Sequence, residues 1–130
     1  MPLNLNRLFV YGSLKRGTDH PMHKRMLRFC SFLEPARMQG YLYQLEGYPG
    51  AVQTGDDQWI QGELYRIEQA VGLFDLLDGY EECSKAFKPP HEYTREAIEV
   101  ITESGQQLRA WVYLYNFSIT GRQRIASGCY

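Results

Sequence analysis

Residue types able to do chemistry gather in two stretches of this chain. At residues 78–82 the run Asp-Gly-Tyr-Glu-Glu sets Asp78, Glu81 and Glu82 directly after a segment of helical periodicity. The carbonyls that end a helix carry partial negative charge, so a carboxylate there is disfavoured by a few tenths to ~1 kcal/mol. Three acids at the wrong end of a helix read in one of two ways. They form a solvated acidic cap, or they mark a site where a carboxyl group is held close to its protonated form and can move protons. The second stretch is residues 8–17, Leu-Phe-Val-Tyr-Gly-Ser-Leu-Lys-Arg-Gly. Its apolar opening reads as a buried central strand. Gly12 then allows a torsion or a closeness of approach that a side chain would forbid. That leaves a row of backbone N–H groups from Gly12 to Leu14, beside the Ser13 hydroxyl, to cradle an anion or a developing oxyanion. The competing reading is a plain strand-to-loop turn followed by solvated Lys15 and Arg16.

The elements that must position these residues can be read around them. Residues 68–78 form the best helix, with Ala70, Leu73, Phe74 and Leu77 on one face, Val71 and Leu76 widening the stripe, and Gly79 placed to end it. Ahead of it, residues 59–67 are rich in strand formers and carry Glu63, a further carboxylate more readily explained by an outer strand face. Residues 36–45 read as a strand with a glycine bend at Gly40, and Tyr48-Pro49-Gly50 as a turn. Residues 19–29 read as a short amphipathic helix. His20 and His23 are three apart there with no acidic or cysteine ligand beside them, so they are expected to be solvated surface histidines and no metal site is expected. Strands follow at 93–102 and 108–115. In the second, Leu108, Ala110, Val112 and Leu114 alternate with Arg109, Trp111, Tyr113 and Tyr115, so one face fills a core and the other offers aromatic walls. After residue 116 a loop and a short turn or helix are expected, anchored by Ile119 and Ile125.

Length and composition bound the class. The 130 residues suit one domain spanning 1–130, large enough to bury a core without a disulfide or metal staple. Ten tyrosines and 12 glycines favour strands joined by turns over a helix bundle. Fourteen basic against 15 acidic residues leave a net charge of −1, which lacks the basic excess a nucleic-acid binder uses. Cys30, Cys83 and Cys129 match neither a disulfide framework nor a zinc site and point to a reducing cytoplasm. No secretory apolar region is visible at the N-terminus, and no run approaches the ~18 apolar residues of a membrane span. The glycine loop matches neither phosphate-binding pattern, GxxxxGK[ST] or GxGxxG.

Tyr11-Gly12-Ser13-Leu14, then Leu77-Asp78-Gly79-Tyr80-Glu81, then Tyr93-Thr94-Arg95, in that order, resemble the gamma-glutamylcyclotransferase-like (AIG2-like) family over nearly the whole chain. The resemblance implies an α+β fold, a compact mixed β-barrel with a few flanking helices. It also implies a cyclotransferase that cleaves a γ-glutamyl amide by intramolecular attack of the α-amino group, releasing 5-oxoproline and an amine or amino acid. The partner is then a small-molecule γ-glutamyl substrate, with no cofactor. Carried over to this chain, the loop Tyr11, Gly12, Ser13 and Leu14 binds substrate, Tyr93 and Tyr115 line the site with Tyr11, and Glu81 transfers protons. The alternative is a non-catalytic small-molecule binding module on the same barrel, although a binder of an anionic amino acid gains nothing from a carboxylate in its pocket. Arg95 is open between a substrate carboxylate and a neighbouring acid. The loop at 83–92, with Lys85, Lys88, Pro89, Pro90 and His91, is longer than in many family members and is expected to form a rim that shapes the leaving-group site. A thiol pairing of Cys83 with His91 lacks a third orienting group.

Overall fold

A strand that is apolar on both faces must be covered on both. The strand Gln107–Tyr115 meets that demand, because Ala110 and Val112 are fully buried on one side while Tyr113 and Tyr115 are buried on the other. In the computed structural model, which describes residues 5–12, 14–18, 20–81 and 90–130, the requirement is met by a closed barrel with helices laid against its outer face. The elements in chain order are β1 (Arg7–Val10), α1 (Pro21–Met26), β2 (Cys30–Gln44), β3 (Pro49–Gln53), β4 (Trp59–Ile67), α2 (Ala70–Tyr80), β5 (Tyr93–Thr102), β6 (Gln107–Tyr115) and β7 (Gln123–Arg124).

Strands β2, β4, β1, β6 and β5 pair in that order, and β5 returns to β2 through Ala36↔Thr102 and Arg37↔Ile101 to close the barrel. Every neighbouring pair is antiparallel except β1 and β6, which run parallel with Leu8 opposite Trp111. The interior draws a residue from each wall: Phe9, Met38, Leu64, Val100 and Val112 are all buried in one cluster. A second cluster lies outside the barrel, where Leu73 and Leu77 of α2 and Met26 of α1 pack with Leu8, Tyr65 and Tyr113. Strand β2 is long because it serves two sheets. Its first part lies in the barrel, with a bulge between Phe32 and Glu34, and its last residues pair with β3 and β7. Gly40 marks the crossover, where a Cβ would stand 2.7 Å from the Val52 carbonyl oxygen and 2.8 Å from Ile60 Cδ1.

Several expectations are corrected in detail. Helix α2 does not stop at Gly79 but continues to Tyr80, with Glu81 at φ −83° and ψ 0° as its cap and the Glu81 N–H bonded to the Leu77 carbonyl at 2.8 Å. Gly79 is not among the glycines with positive φ, so it is an interior helix residue and not a left-handed stop. Val71 is 79% exposed. It stands about 200° around the helix from Leu73 at ~100° per residue, off the buried face. Helix α1 is a shorter piece than the one expected at 19–29 and opens on His20, whose Nδ1 accepts the Met22 N–H at 3.1 Å. The turn expected at 48–50 falls earlier, where Gly47 has φ +84° and the Leu45 N–H bonds the Tyr48 carbonyl. Pro49 instead opens β3, the first-residue position a strand tolerates for proline. Ile119 and Ile125 do anchor the C-terminal stretch, each packed against one of the two cores. Among the described residues no helix is long and apolar enough to cross a membrane.

Candidate active site

Three chain segments converge at one end of the barrel: the loop leaving β1, the end of α2, and the start of β5. Between them lies a cavity of about 350 Å³, within the roughly 300–1,000 Å³ of small-molecule sites. Tyr11, Gly12 and Leu14 form one wall, Tyr80 and Glu81 a second, Glu92 and Tyr93 a third, with Tyr48 of the β2–β3 turn and Pro49 at the start of β3 closing the side. Gly12 is required by closeness and not by torsion. A Cβ there would sit 2.7 Å from Pro49 Cγ, so any side chain would push the turn away from the loop. The loop is held from behind. His23 Nδ1 donates to the Leu14 carbonyl at 2.6 Å, and the Arg16 N–H and guanidinium reach Glu63 at 2.8 and 3.2 Å.

The tyrosines of the cavity are committed by their hydroxyls. Tyr11 donates to the Tyr113 carbonyl at 2.7 Å and accepts the Ala51 N–H at 3.2 Å. Burial, and then the charge of Glu81, raise its pKa well above the phenol range, so it stays neutral. Tyr93 donates to the Pro49 carbonyl at 2.7 Å and is raised in the same way, first by burial. Tyr48 donates to Glu92 Oε2 at 2.6 Å, a bond that, ahead of burial, pushes it up to about 12. These phenols fix walls and are not proton carriers at neutral pH. Glu81 differs. It is partly buried, and burial followed by the charge of Glu92 pushes its carboxyl up to about 8, where one group can serve as base and then acid.

The chain matches the family described as gamma-glutamyl cyclotransferase, AIG2-like, over residues 8–130. It belongs to that family. The gamma-glutamylcyclotransferase family protein YtfP of Escherichia coli is 34% identical over 94% of this chain and 93% of its own. Its solution structure superposes with a TM-score of 0.62, covering 95% of each chain. Gamma-glutamylaminecyclotransferase A of Danio rerio is 27% identical over 87% of this chain and 71% of that one. The crystal structure of an AIG2-like protein from Mus musculus has a TM-score of 0.70 at 26% identity, covering 88% of this chain and 80% of that one. Membership of the cyclotransferase family points to enzymatic activity on small-molecule γ-glutamyl compounds.

Within this cyclotransferase-family barrel the residues singled out in sequence fall as follows. Tyr11, Gly12, Leu14, Glu81 and Tyr93 all reach the cavity. Ser13 lies outside the described residues, as do Glu82, Cys83, Lys85 and Lys88. Tyr115 is not a lining residue: its ring packs edge-on against Tyr93 at 5.6 Å and supports that wall. Asp78 does not press on Glu81. It accepts the Tyr113 hydroxyl at 2.6 Å and pairs with Arg95 at 3.4 Å. Arg95, whose guanidinium stacks 3.8 Å over Phe74, thus binds the neighbouring acid. Glu63 is turned away from the cavity to Arg16 and the Tyr65 hydroxyl.

Three polar cavity residues could not be found from sequence: Tyr48, read there only as part of a turn, and two more. His20 is half-buried, not solvated; with Nδ1 accepting a backbone N–H, its proton sits on Nε2, 3.3 Å from the Tyr80 hydroxyl. The other is Glu92, for which the one available signal was an acid immediately before the motif tyrosine, Tyr93. Among the described residues no group of three or more His, Cys, Asp or Glu is placed to hold a metal ion.

Proposed function

We propose that this protein is a cyclotransferase that cleaves a γ-glutamyl amide and releases 5-oxoproline and an amine. The observation that carries the reading is Glu81, a carboxyl pushed up to about 8 in a cavity that the side-chain-free backbone at Gly12 also lines. The substrate's α-amino group attacks its own γ-carbonyl, so nucleophile and electrophile arrive in one molecule. The protein's task is to fold that molecule into a near-attack geometry, which recovers a large part of the barrier as effective molarity.

Two protons must travel from the α-nitrogen to the leaving nitrogen. Glu81 takes the first from the α-ammonium; the free amine forms the new C–N bond, and the carbonyl oxygen becomes an oxyanion. Glu81 returns that proton to the leaving nitrogen as the old C–N bond breaks. It then carries the second from the ring nitrogen, so the amine departs as its ammonium and Glu81 ends as it began. Backbone amides of residues 12–14 are the proposed clamp for the substrate carboxylate or the oxyanion.

Incubating the protein with a panel of γ-glutamyl dipeptides and γ-glutamyl amines, and assaying 5-oxoproline, tests this. Stoichiometric 5-oxoproline and amine from at least one member is the expected result. Detectable binding with no product from any member would favour a binding module on the same barrel.

A further inference from the structure

The scheme above leaves idle a second carboxylate in the same cavity. Glu92 is fixed at both ends: its Oε2 accepts the Tyr48 hydroxyl at 2.6 Å, and its carbonyl accepts the Asn116 N–H at 2.7 Å. It faces the cavity with Glu81, and its charge is one of the two causes that push Glu81 up. No lysine or arginine is among the described residues that line the cavity. His20 is occupied at Nδ1 by the Met22 N–H, and Arg95 is engaged with Asp78 and Phe74. Two carboxylates in a partly desolvated space, with no cation among the described residues around them, form a site that a cationic ligand completes.

The γ-glutamyl head brings one cation, its α-ammonium, and that group must both be held and lose a proton. One carboxylate serves both needs poorly. A tight ion pair lowers the pKa of the acid and raises that of the ammonium, which opposes the transfer. Two carboxylates can divide the work. The Tyr48 hydroxyl donates to Glu92 and fixes one of its oxygens, leaving the other to face a ligand, whereas burial and the Glu92 charge favour the protonated form of Glu81.

We propose that Glu92, with Tyr48 donating to it, anchors the α-ammonium of the γ-glutamyl substrate and leaves Glu81 free to take and return the proton. This rests on the cyclotransferase reading and adds a recognition requirement to it, a free α-ammonium.

The test uses γ-L-glutamylethylamide and its counterpart without the amino group, glutaric acid monoethylamide. Their dissociation constants are measured on Glu81→Gln, which holds ligand without consuming it, and on Glu81→Gln combined with Glu92→Gln. A charge-assisted contact predicts that Glu81→Gln prefers the amino compound by about tenfold or more. Adding Glu92→Gln should bring that preference to within about twofold while affinity for the des-amino compound stays the same. Tyr48→Phe in the Glu81→Gln background is the milder version and should reduce the preference severalfold; it also serves if the double variant does not fold. A preference that survives both changes, or an equal loss of both ligands, overturns the assignment of Glu92. The parallel 5-oxoproline assay of the wild-type protein separates the two claims. Turnover with a surviving preference sinks only Glu92's role, whereas neither turnover nor binding of the amino compound sinks the cyclotransferase reading as well.

Discussion

Glu63 and Glu81 are both glutamates at the edge of the same loop, and the protein treats them in opposite ways. Glu63, on β4, accepts the Arg16 N–H at 2.8 Å, the Arg16 guanidinium at 3.2 Å and the Tyr65 hydroxyl at 3.0 Å. Its charge is answered by a cation and by donors on both oxygens, so it works as a clip that ties the loop after β1 to the barrel. Glu81, at the end of α2, faces a cavity with a second carboxylate in it and is pushed up to about 8. A carboxylate saturated with donors has nothing left to exchange. One deprived of them is unstable as an anion, and that instability is what makes proton transfer near neutral pH accessible.

The largest effect is expected from Glu81→Gln. Glutamine keeps the size and one acceptor of the side chain but cannot shuttle a proton. We expect kcat on a γ-glutamyl amide to fall by about 10²- to 10⁴-fold, the usual worth of general acid–base catalysis, with KM little changed. Glu82→Gln, which removes the same charge one residue along, is the control and should keep its rate. If Glu82→Gln were the dead variant, the family motif has been laid on this chain one residue out of register. In the wild-type protein kcat/KM should rise with pH through about 8 as free Glu81 ionises. It should fall again as the substrate ammonium loses its proton.

The same substitution should stabilise the fold, and the sign follows from linkage. The Glu81 carboxyl titrates at about 8 in the folded chain, above its ordinary value of 4.5. Between those two values the folded state binds more protons than the unfolded one, so this group lowers stability as pH rises through the window, with no further change above it. Glu81→Gln removes that slope. Denaturant unfolding should find variant and wild type equal near pH 4, and the variant more stable at pH 9. Because the carboxyl is only partly buried, the gain is expected to be about 2 kcal/mol and not the full value of the shift. Equal stability at both pH values would mean that the Glu81 carboxyl titrates in the folded chain as it does in the unfolded one.

Much of the barrel was legible because strands with two buried faces announce themselves. The formers at 59–67 became β4, and the alternation along 108–115 matched the two cores, with Ala110 and Val112 inside the barrel and Tyr113 and Tyr115 outside. The first half of β2 was not legible. Cys30 to Pro35 carry no alternation, since a bulge falls there and a proline follows. In the cavity, Glu81 could be found through its motif and its misfit with the helix end. The cause of its misfit could not, because Glu92 reaches it through the fold. His20 meets Tyr80 across 60 residues and was hidden for the same reason. Tyr115 shows the limit of periodicity. It shares a face with Tyr113, but only the register, Tyr93 opposite Tyr115, shows that it packs against the cavity wall.

A smaller effect is expected where the helix end is merely held in place. Tyr113 donates to Asp78, three residues before Glu81, and Asp78 also pairs with Arg95. Tyr113→Phe removes one donor from that anchor while keeping the ring. Loosening the α2 terminus should lower kcat about tenfold through misplacement of Glu81, and should cost stability about 1 kcal/mol. An unchanged kcat with the stability cost intact would show that α2 is positioned by Leu73 and Leu77 packing alone.

The smallest effect on chemistry should come from the other half of the comparison, Glu63→Gln. The amide oxygen can still accept from the Arg16 N–H or the Tyr65 hydroxyl, but the ion pair with the Arg16 guanidinium is lost. That guanidinium is about half exposed, with 54% of its side chain accessible, and it keeps its place 3.6 Å over the Phe32 ring. Exposed pairs are worth about 0–1 kcal/mol, and the loop retains its hold through His23 on the Leu14 carbonyl. Unfolding should therefore register a loss of at most about 1 kcal/mol, while kcat/KM stays within about twofold of wild type. A thousandfold loss of kcat in a folded Glu63→Gln protein would mean that the saturated carboxylate, and not the deprived one, carries the proton. The assignment of Glu81 would then have to be abandoned.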